Sequence, residues 1–257
     1  MKLLFIGDVV STQGCEYLRQ ELPKLKREYG ADIVVANGEN SAKGNGVTPQ
    51  SAKYLLSSGV DLITLGNHTL RRPEICDYLD ECEFIIRPEN YHETAPGRGM
   101  AVIDKGRYRV LVANLQGTVY LDNIENPFYA ADRIIEYASD NGINSVFIDF
   151  HAEASSEKRA MGFYLDGKIT ALVGTHTHVQ TSDEQLLPCG TAYITDLGMT
   201  GPYCSVLGVD PEVTIKKFKT ALPVRFTNPE GPCTIEGCVI EFDEVTGKAS
   251  KIERFRR

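Results

Sequence analysis

Gly174-Thr175-His176-Thr177-His178 follows the apolar run Ile169, Ala171, Leu172, Val173. The run has the character of a buried strand. Two histidines at i and i+2 on an extended chain project to the same side. Converging imidazoles at a strand end suit zinc, iron or manganese. Taken alone, an HxH pair is equally a polar strand end facing solvent. The other strand ends of the chain separate these alternatives.

Working outward, residues 3–6 are continuously apolar and stop at Gly7-Asp8, and residues 33–36 stop at Asn37-Gly38-Glu39-Asn40. Residues 61–65 stop at Gly66-Asn67-His68, and residues 145–150 stop at His151. Helical spacing appears between these runs. It covers residues 16–29, where Pro23 interrupts or kinks the helix and Gly30 closes it. A helix opening at Thr48-Pro49 has its cap and its first-turn proline in the expected places. Further helices are expected over residues 72–82, 127–140, 156–165 and 213–220. Strands are expected near 84–86 and 192–194, and over 234–242 and 249–255. Residues 100–103 and 109–113 read as a hairpin turned at Lys105-Gly106, and residues 115–126 as a polar, irregular stretch.

Strands alternating with helices predict an α/β sheet, and such sheets bind ligands at the carboxyl ends of their strands. Five strand ends deliver Asp8, Glu39-Asn40, Asn67-His68, His151 and His176/His178 to one edge. The chain has only five histidines, and four of them belong to this set. A shared metal centre explains that placement better than separate structural roles. The fifth, His92, reads as a surface residue.

The chain has 257 residues, 42% hydrophobic and 24% charged, as in an ordinary globular protein. No linker composition interrupts it, so a single domain over residues 1–257 is expected. A net charge of -8 argues against an extended nucleic-acid surface. The seven cysteines form no CxxC pair and are odd in number, which favours free thiols in a reducing compartment. The first apolar run is too short for a signal-peptide core, and no later one is long enough to span a bilayer. A cytoplasmic protein without a membrane partner is the expectation.

The ordered set GD (7–8), GEN (38–40), GNH (66–68), His151 and GTHTH (174–178) resembles the calcineurin-like metallophosphoesterase signature. Residues 156–162, Tyr193-Ile194-Thr195-Asp196 and Gly198-Met199-Thr200-Gly201 extend the likeness to the YmdB-like branch of bacterial phosphodiesterases. Two positions depart from the wider superfamily, and the branch is similar in both. Val10 stands where a histidine is usual, and Glu39 stands where a bridging aspartate is usual. Thr69 follows GNH in place of an acidic residue.

The resemblance implies a calcineurin-like α/β sandwich of two mixed β-sheets flanked by α-helices. It implies two divalent or trivalent metal ions, with Asp8, Glu39, Asn40 and His178 on one and Glu39, Asn67, His151 and His176 on the other. Oxygen and imidazole donors without thiolate favour iron or manganese, with zinc as a third choice. The implied reaction is attack by a hydroxide shared between the metals on a small phosphoester, a 2′,3′-cyclic nucleotide, with His68 as general acid. A phosphomonoesterase or nuclease on the same centre, a non-catalytic regulatory scaffold, and a homo-oligomeric assembly all stay open. Arg71 and Arg72 could reach a phosphate or simply begin a solvated helix, and residues 115–126 and 198–210 could line the cleft.

Overall fold

The computed structural model describes residues 1–257 and contains two mixed sheets with helices on their outer faces. The first sheet is built on a parallel core of β1 (Lys2–Ile6), β3 (Ile33–Asn37), β4 (Leu62–Thr64) and β5 (Ile85–Ile86). β13 (Cys233–Phe242) lies antiparallel to β1 and carries β14 (Ala249–Arg256). β12 (Met199–Pro202) joins β13 to the short β2 (Asp8–Val9). The second sheet has the order β10 (Gln185–Leu186), β11 (Ala192–Ile194), β9 (Ala171–Thr175), β8 (Ser145–His151), β7 (Arg109–Gln116), β6 (Met100–Asp104). Its β7, β8, β9 and β11 run parallel.

Side-chain alternation sorts each strand between two layers. Leu3 and Phe5 face the second sheet and pack with Val35, Val112, Phe147 and Val173 in the inter-sheet core. Leu4 and Ile6 face outward, under Leu18, Leu22 and Leu25 of α1 (Ser11–Tyr29) and Leu55 of α2 (Pro49–Ser57). On the far side of the second sheet, Ile148 and Leu172 pack against Ile134 of α4 (Pro127–Asp140) and Met161 of α5 (Ser155–Leu165). Strands buried on both faces must be apolar throughout, which is why they read as unbroken hydrophobic runs. No helix is long and apolar enough to cross a membrane.

Local expectations differ from the fold in instructive places. α1 is continuous from Ser11 to Tyr29 and passes through Pro23. Pro23 is exposed, so its ring and the carbonyl it leaves unpaired face solvent, where the cost is least. Gly30 closes the helix in the left-handed conformation, φ 66°. The segment over residues 72–82 divides into a 3₁₀ turn, Pro73–Ile75, and α3 (Cys76–Glu81). α6 (Pro211–Thr220) begins two residues earlier than its spacing suggests, behind an Asp210 cap. The stretch expected to be irregular from residue 115 begins as strand, because Leu115 and Gln116 pair with Phe150 and His151. The two-residue strands β2 and β10 and the four-residue β12 leave no periodic trace in the sequence.

α2 opens with a reciprocal cap: Ser51 N donates to Thr48 Oγ1 (3.2 Å), and Thr48 N donates to Ser51 Oγ (3.0 Å). Thr48→Ala should cost about 1 kcal/mol and lower the melting temperature by roughly 2–4 °C. Calorimetry beside elemental analysis checks this, since metal content should stay at the wild-type level.

Candidate metal centre

The carboxyl ends of β1, β3, β4, β8 and β9 meet where the two sheets abut, and each delivers polar groups. All seven residues proposed as ligands, and His68, are brought to this edge. The glycines that precede them are needed for close approach: a Cβ on Gly66 would run into the His151 ring, and one on Gly174 into the Thr195 carbonyl.

Four atoms converge at the first group. His151 Nε2 lies 3.0 Å from His176 Nδ1, 3.0 Å from Asn67 Oδ1 and 3.3 Å from Glu39 Oε1. Glu39, His151 and His176 thus offer ligand atoms all within 4.8 Å of one another. Beside them, Asp8 Oδ1 is buried with no hydrogen-bond partner, and His178 Nε2 sits 3.6 Å away. The amide of Asn40 reaches across, with Nδ2 3.0 Å from Glu39 Oε1 and 3.3 Å from His178 Nε2. Its Oδ1 meets His68 Nδ1 at 2.8 Å. For Asn40 to ligate through oxygen, the amide must turn by half a rotation, which presents its NH₂ to His68 Nδ1.

The far side of each imidazole decides which nitrogen faces inward. Thr175 Oγ1 donates to Asp149 Oδ1 (2.7 Å), so its oxygen accepts from His151 Nδ1 (2.9 Å). Asp149 is fully buried and also accepts from Thr64 Oγ1 (2.5 Å) and Asn37 Nδ2 (3.1 Å). His176 presents Nε2 to Glu153 Oε2 at 3.0 Å. His178 Nδ1 donates to the Leu207 carbonyl at 3.0 Å. Three outward N–H groups therefore leave Nε2, Nδ1 and Nε2 directed at the shared space. Inward-facing nitrogens, a buried unpartnered carboxylate oxygen and the Glu39 carboxylate form a donor set that suits cations.

Charge follows the same geometry. Burial pushes the Glu39 carboxyl up, yet His151 and His68 beside it hold it well below the usual carboxylate range. Burial opposes a charged ring at all three histidines. At His151 the Glu39 carboxylate outweighs it and the ring is raised. At His178 Asp8 does the same, raising the ring to about 9. His176 is lowered to about 4, first by burial and then by the neighbouring charge of His151. Protons and cations thus compete for His151 Nε2 and His178 Nε2. Burial raises Asp149 to about 6.

The two histidines of the opening stretch do not converge through strand alternation. β9 ends at Thr175, and His176 and His178 adopt φ 99° and 62°. Positive φ breaks the i, i+2 rule, and a turn sets where each ring points. Val10, at the position usually held by histidine, lies against Gly208. The segment that covers Val10 is also the one whose Leu207 carbonyl holds His178.

Arg72 donates to the carbonyls of Lys43 and Asn45, which pins the glycine-rich loop and takes it away from a phosphate role. Arg71 lines a cavity of about 360 Å³ with Asn67, Leu70, Tyr91, Asp122 and Ile124. Asp149, Thr175, Glu153 and Leu207 escape the sequence pattern. Of these, only Asp149 left a signal, as an acid inside an otherwise apolar strand. His92 is exposed, as expected.

A family model described as YmdB-like protein matches residues 4–255. A Bacillus subtilis (strain 168) protein, 2′,3′-cyclic-nucleotide 2′-phosphodiesterase, is 50% identical over 254 residues, covering 99% of this chain and 96% of that protein. A Mycoplasma pneumoniae structure reported as a novel phosphatase superposes with a TM-score of 0.93 at 33% identity, covering 100% of this chain and 93% of the other. A 5′-nucleotidase precursor from Thermus thermophilus shares the fold alone, with a TM-score of 0.58 at 12% identity over 54% of its length.

Thr175→Val keeps the shape but removes the hydroxyl between Asp149 and His151. Metal affinity should fall by about 10–100-fold with the fold retained. Competition against a chromophoric chelator, with circular dichroism as the control, checks this.

Proposed function

Because the chain belongs to the YmdB-like protein family, a family of phosphoesterases, we propose that it hydrolyses 2′,3′-cyclic nucleoside monophosphates at a two-cation centre. The observation that carries this is the convergence of His151 Nε2, His176 Nδ1, Asn67 Oδ1 and Glu39 Oε1 beside the unpartnered Asp8 Oδ1. One cation would be held by Asp8, Glu39, Asn40 and His178. The other would be held by Glu39, Asn67, His151 and His176. Glu39 Oε1 lies close to both groups, as a shared ligand must. The mixture of carboxylate, amide and imidazole donors favours iron or manganese, with zinc as a third choice. Two cations supply Lewis acidity toward the phosphoryl oxygens and acidify a water enough for attack at neutral pH.

The chain's own residues do the rest. Glu39 holds His68, with Oε1 3.3 Å from its Nδ1 and Oε2 accepting from its backbone N–H. That leaves Nε2 to give a proton to the departing ribose oxygen. The cavity beside Asn67 has the size of a small-ligand site. Arg71 at its wall can meet a phosphate, and Tyr91 offers a ring to a base. A small phosphoester suits this cavity and the net charge of -8 better than an extended polymer does. All seven cysteines are free, which fits a cytoplasmic, reducing compartment. We also take residues 1–257 to act as one domain.

Glu39→Gln should lower the binding of both cations, whereas His178→Ala should lower one; elemental analysis of the loaded proteins separates these outcomes. His68→Ala should leave metal content near wild type. It should slow a 2′,3′-cyclic nucleotide by roughly 10²–10⁴-fold. A p-nitrophenyl ester should be slowed far less, because phenolate departs without a proton. Equal losses on the two substrates would instead assign His68 to charge stabilisation.

A further inference from the structure

Lys158 and Asp196 form an ion pair whose side chains are each only 1% exposed, at 2.7 Å. Neither residue belongs to the donor set. Lys158 projects from α5, and Asp196 follows β11. We propose that this pair is a strap that sets the His176–His178 turn, and so the affinity and geometry of the metal centre; the proposal rests on the two-cation reading above. Lys158 and Asp196 are positioning residues, acting through backbone atoms.

The hydrogen bonds give the strap its direction. Lys158 Nζ donates to the Thr175 carbonyl at 2.7 Å, the last residue of β9 before His176. Asp196 Oδ2, besides taking the ammonium, accepts from Thr177 N at 3.1 Å. The pair therefore grips the chain on both sides of His176. Asp196 Oδ1 accepts from Gly198 N at 2.9 Å, and the Gly198 carbonyl accepts from Asp8 N at 3.1 Å. The same carboxylate is thus tied to the backbone of Asp8, on the other cation's side. Lys158 reaches this position past Gly174, where a Cβ would press on its Cδ.

Polarity is needed here for a physical reason. His176 and His178 hold positive φ, which a non-glycine residue keeps only when its surroundings enforce it. An apolar pair of similar volume would join α5 to the segment after β11 as firmly. It would not direct a donor at Thr175 O and an acceptor at Thr177 N. Strapping the turn therefore requires a buried donor and a buried acceptor, and here the ammonium and the carboxylate satisfy each other as well.

The test uses the full chain with Mn²⁺ and Co²⁺ as probes. Lys158→Met/Asp196→Leu removes the pair without leaving a buried lone charge. Its metal-free urea midpoint should stay close to wild type, while Mn²⁺ affinity, read by chelator competition, should fall by roughly 10–100-fold. The visible spectrum of the Co²⁺-saturated protein should change in intensity, reporting altered coordination. Lys158→Met/Asp196→Asn, which also removes both charges but keeps an acceptor toward Thr177 N, should show a smaller loss of the same kind and serves if the first variant does not fold. Wild-type affinity and an unchanged Co²⁺ spectrum in a folded variant would overturn the proposal, whatever happens to the urea midpoint. Wild type and Glu39→Gln run alongside: if these two bind Mn²⁺ equally, the two-cation reading has failed and the strap falls with it.

Discussion

Groups that all want a cation cannot be gathered in a protein interior unless each is held from behind. That constraint organises the edge where the two sheets meet. His151 is held by Thr175 and through it by Asp149, His176 by Glu153, and His178 by the Leu207 carbonyl. Each outer hydrogen bond occupies one ring nitrogen and directs the other inward. The result is a concentration of donors that protons satisfy in part, and that cations satisfy better because one ion answers several donors at once.

The scaffold serves this by packing two sheets with parallel cores face to face, so that their carboxyl ends open at one edge of the sandwich. β1, β3 and β4 bring Asp8, Glu39-Asn40 and Asn67-His68 from one sheet, and β8 and β9 bring His151 and the His176–His178 turn from the other. Glu39 lies between the two groups and also holds the backbone and ring of His68. The group suited to proton transfer is therefore tied to the same carboxylate that both cations would share. Small displacements at that buried carboxylate reach every part of the proposed chemistry.

The polar network behind the ligands has an energetic logic of its own. Asp149 is buried among apolar strands, where a carboxyl is costly unless hydrogen-bonded. Its three donors, Asn37, Thr64 and Thr175, come from three different strands across both sheets. Satisfying it locks the relative register of those strands at the edge where the site stands. The Lys158–Asp196 pair acts in the same way on the turn beyond β9. Both networks convert buried polarity into fixed direction.

Much of the site was legible in the chain, because a strand buried on both faces must be apolar and must stop where polar groups begin. Asp8, Glu39, Asn67, His151 and the HxH pair each sit just after such a run, so both the α/β architecture and the candidate donors could be read in order. The capped start of α2 at Thr48-Pro49 was equally local and equally readable. What the sequence could not determine depends on contacts between distant residues. Which nitrogen of His151 faces inward depends on Thr175, 24 positions away, and the bond from Asn37 to Asp149 spans 112. The convergence of His176 and His178 was expected from strand alternation, yet a turn at positive φ produces it. Local pattern reports only what each residue prefers beside its neighbours. A strained turn, a ring tautomer and a buried ion pair exist only where the folded chain brings a partner to the other side.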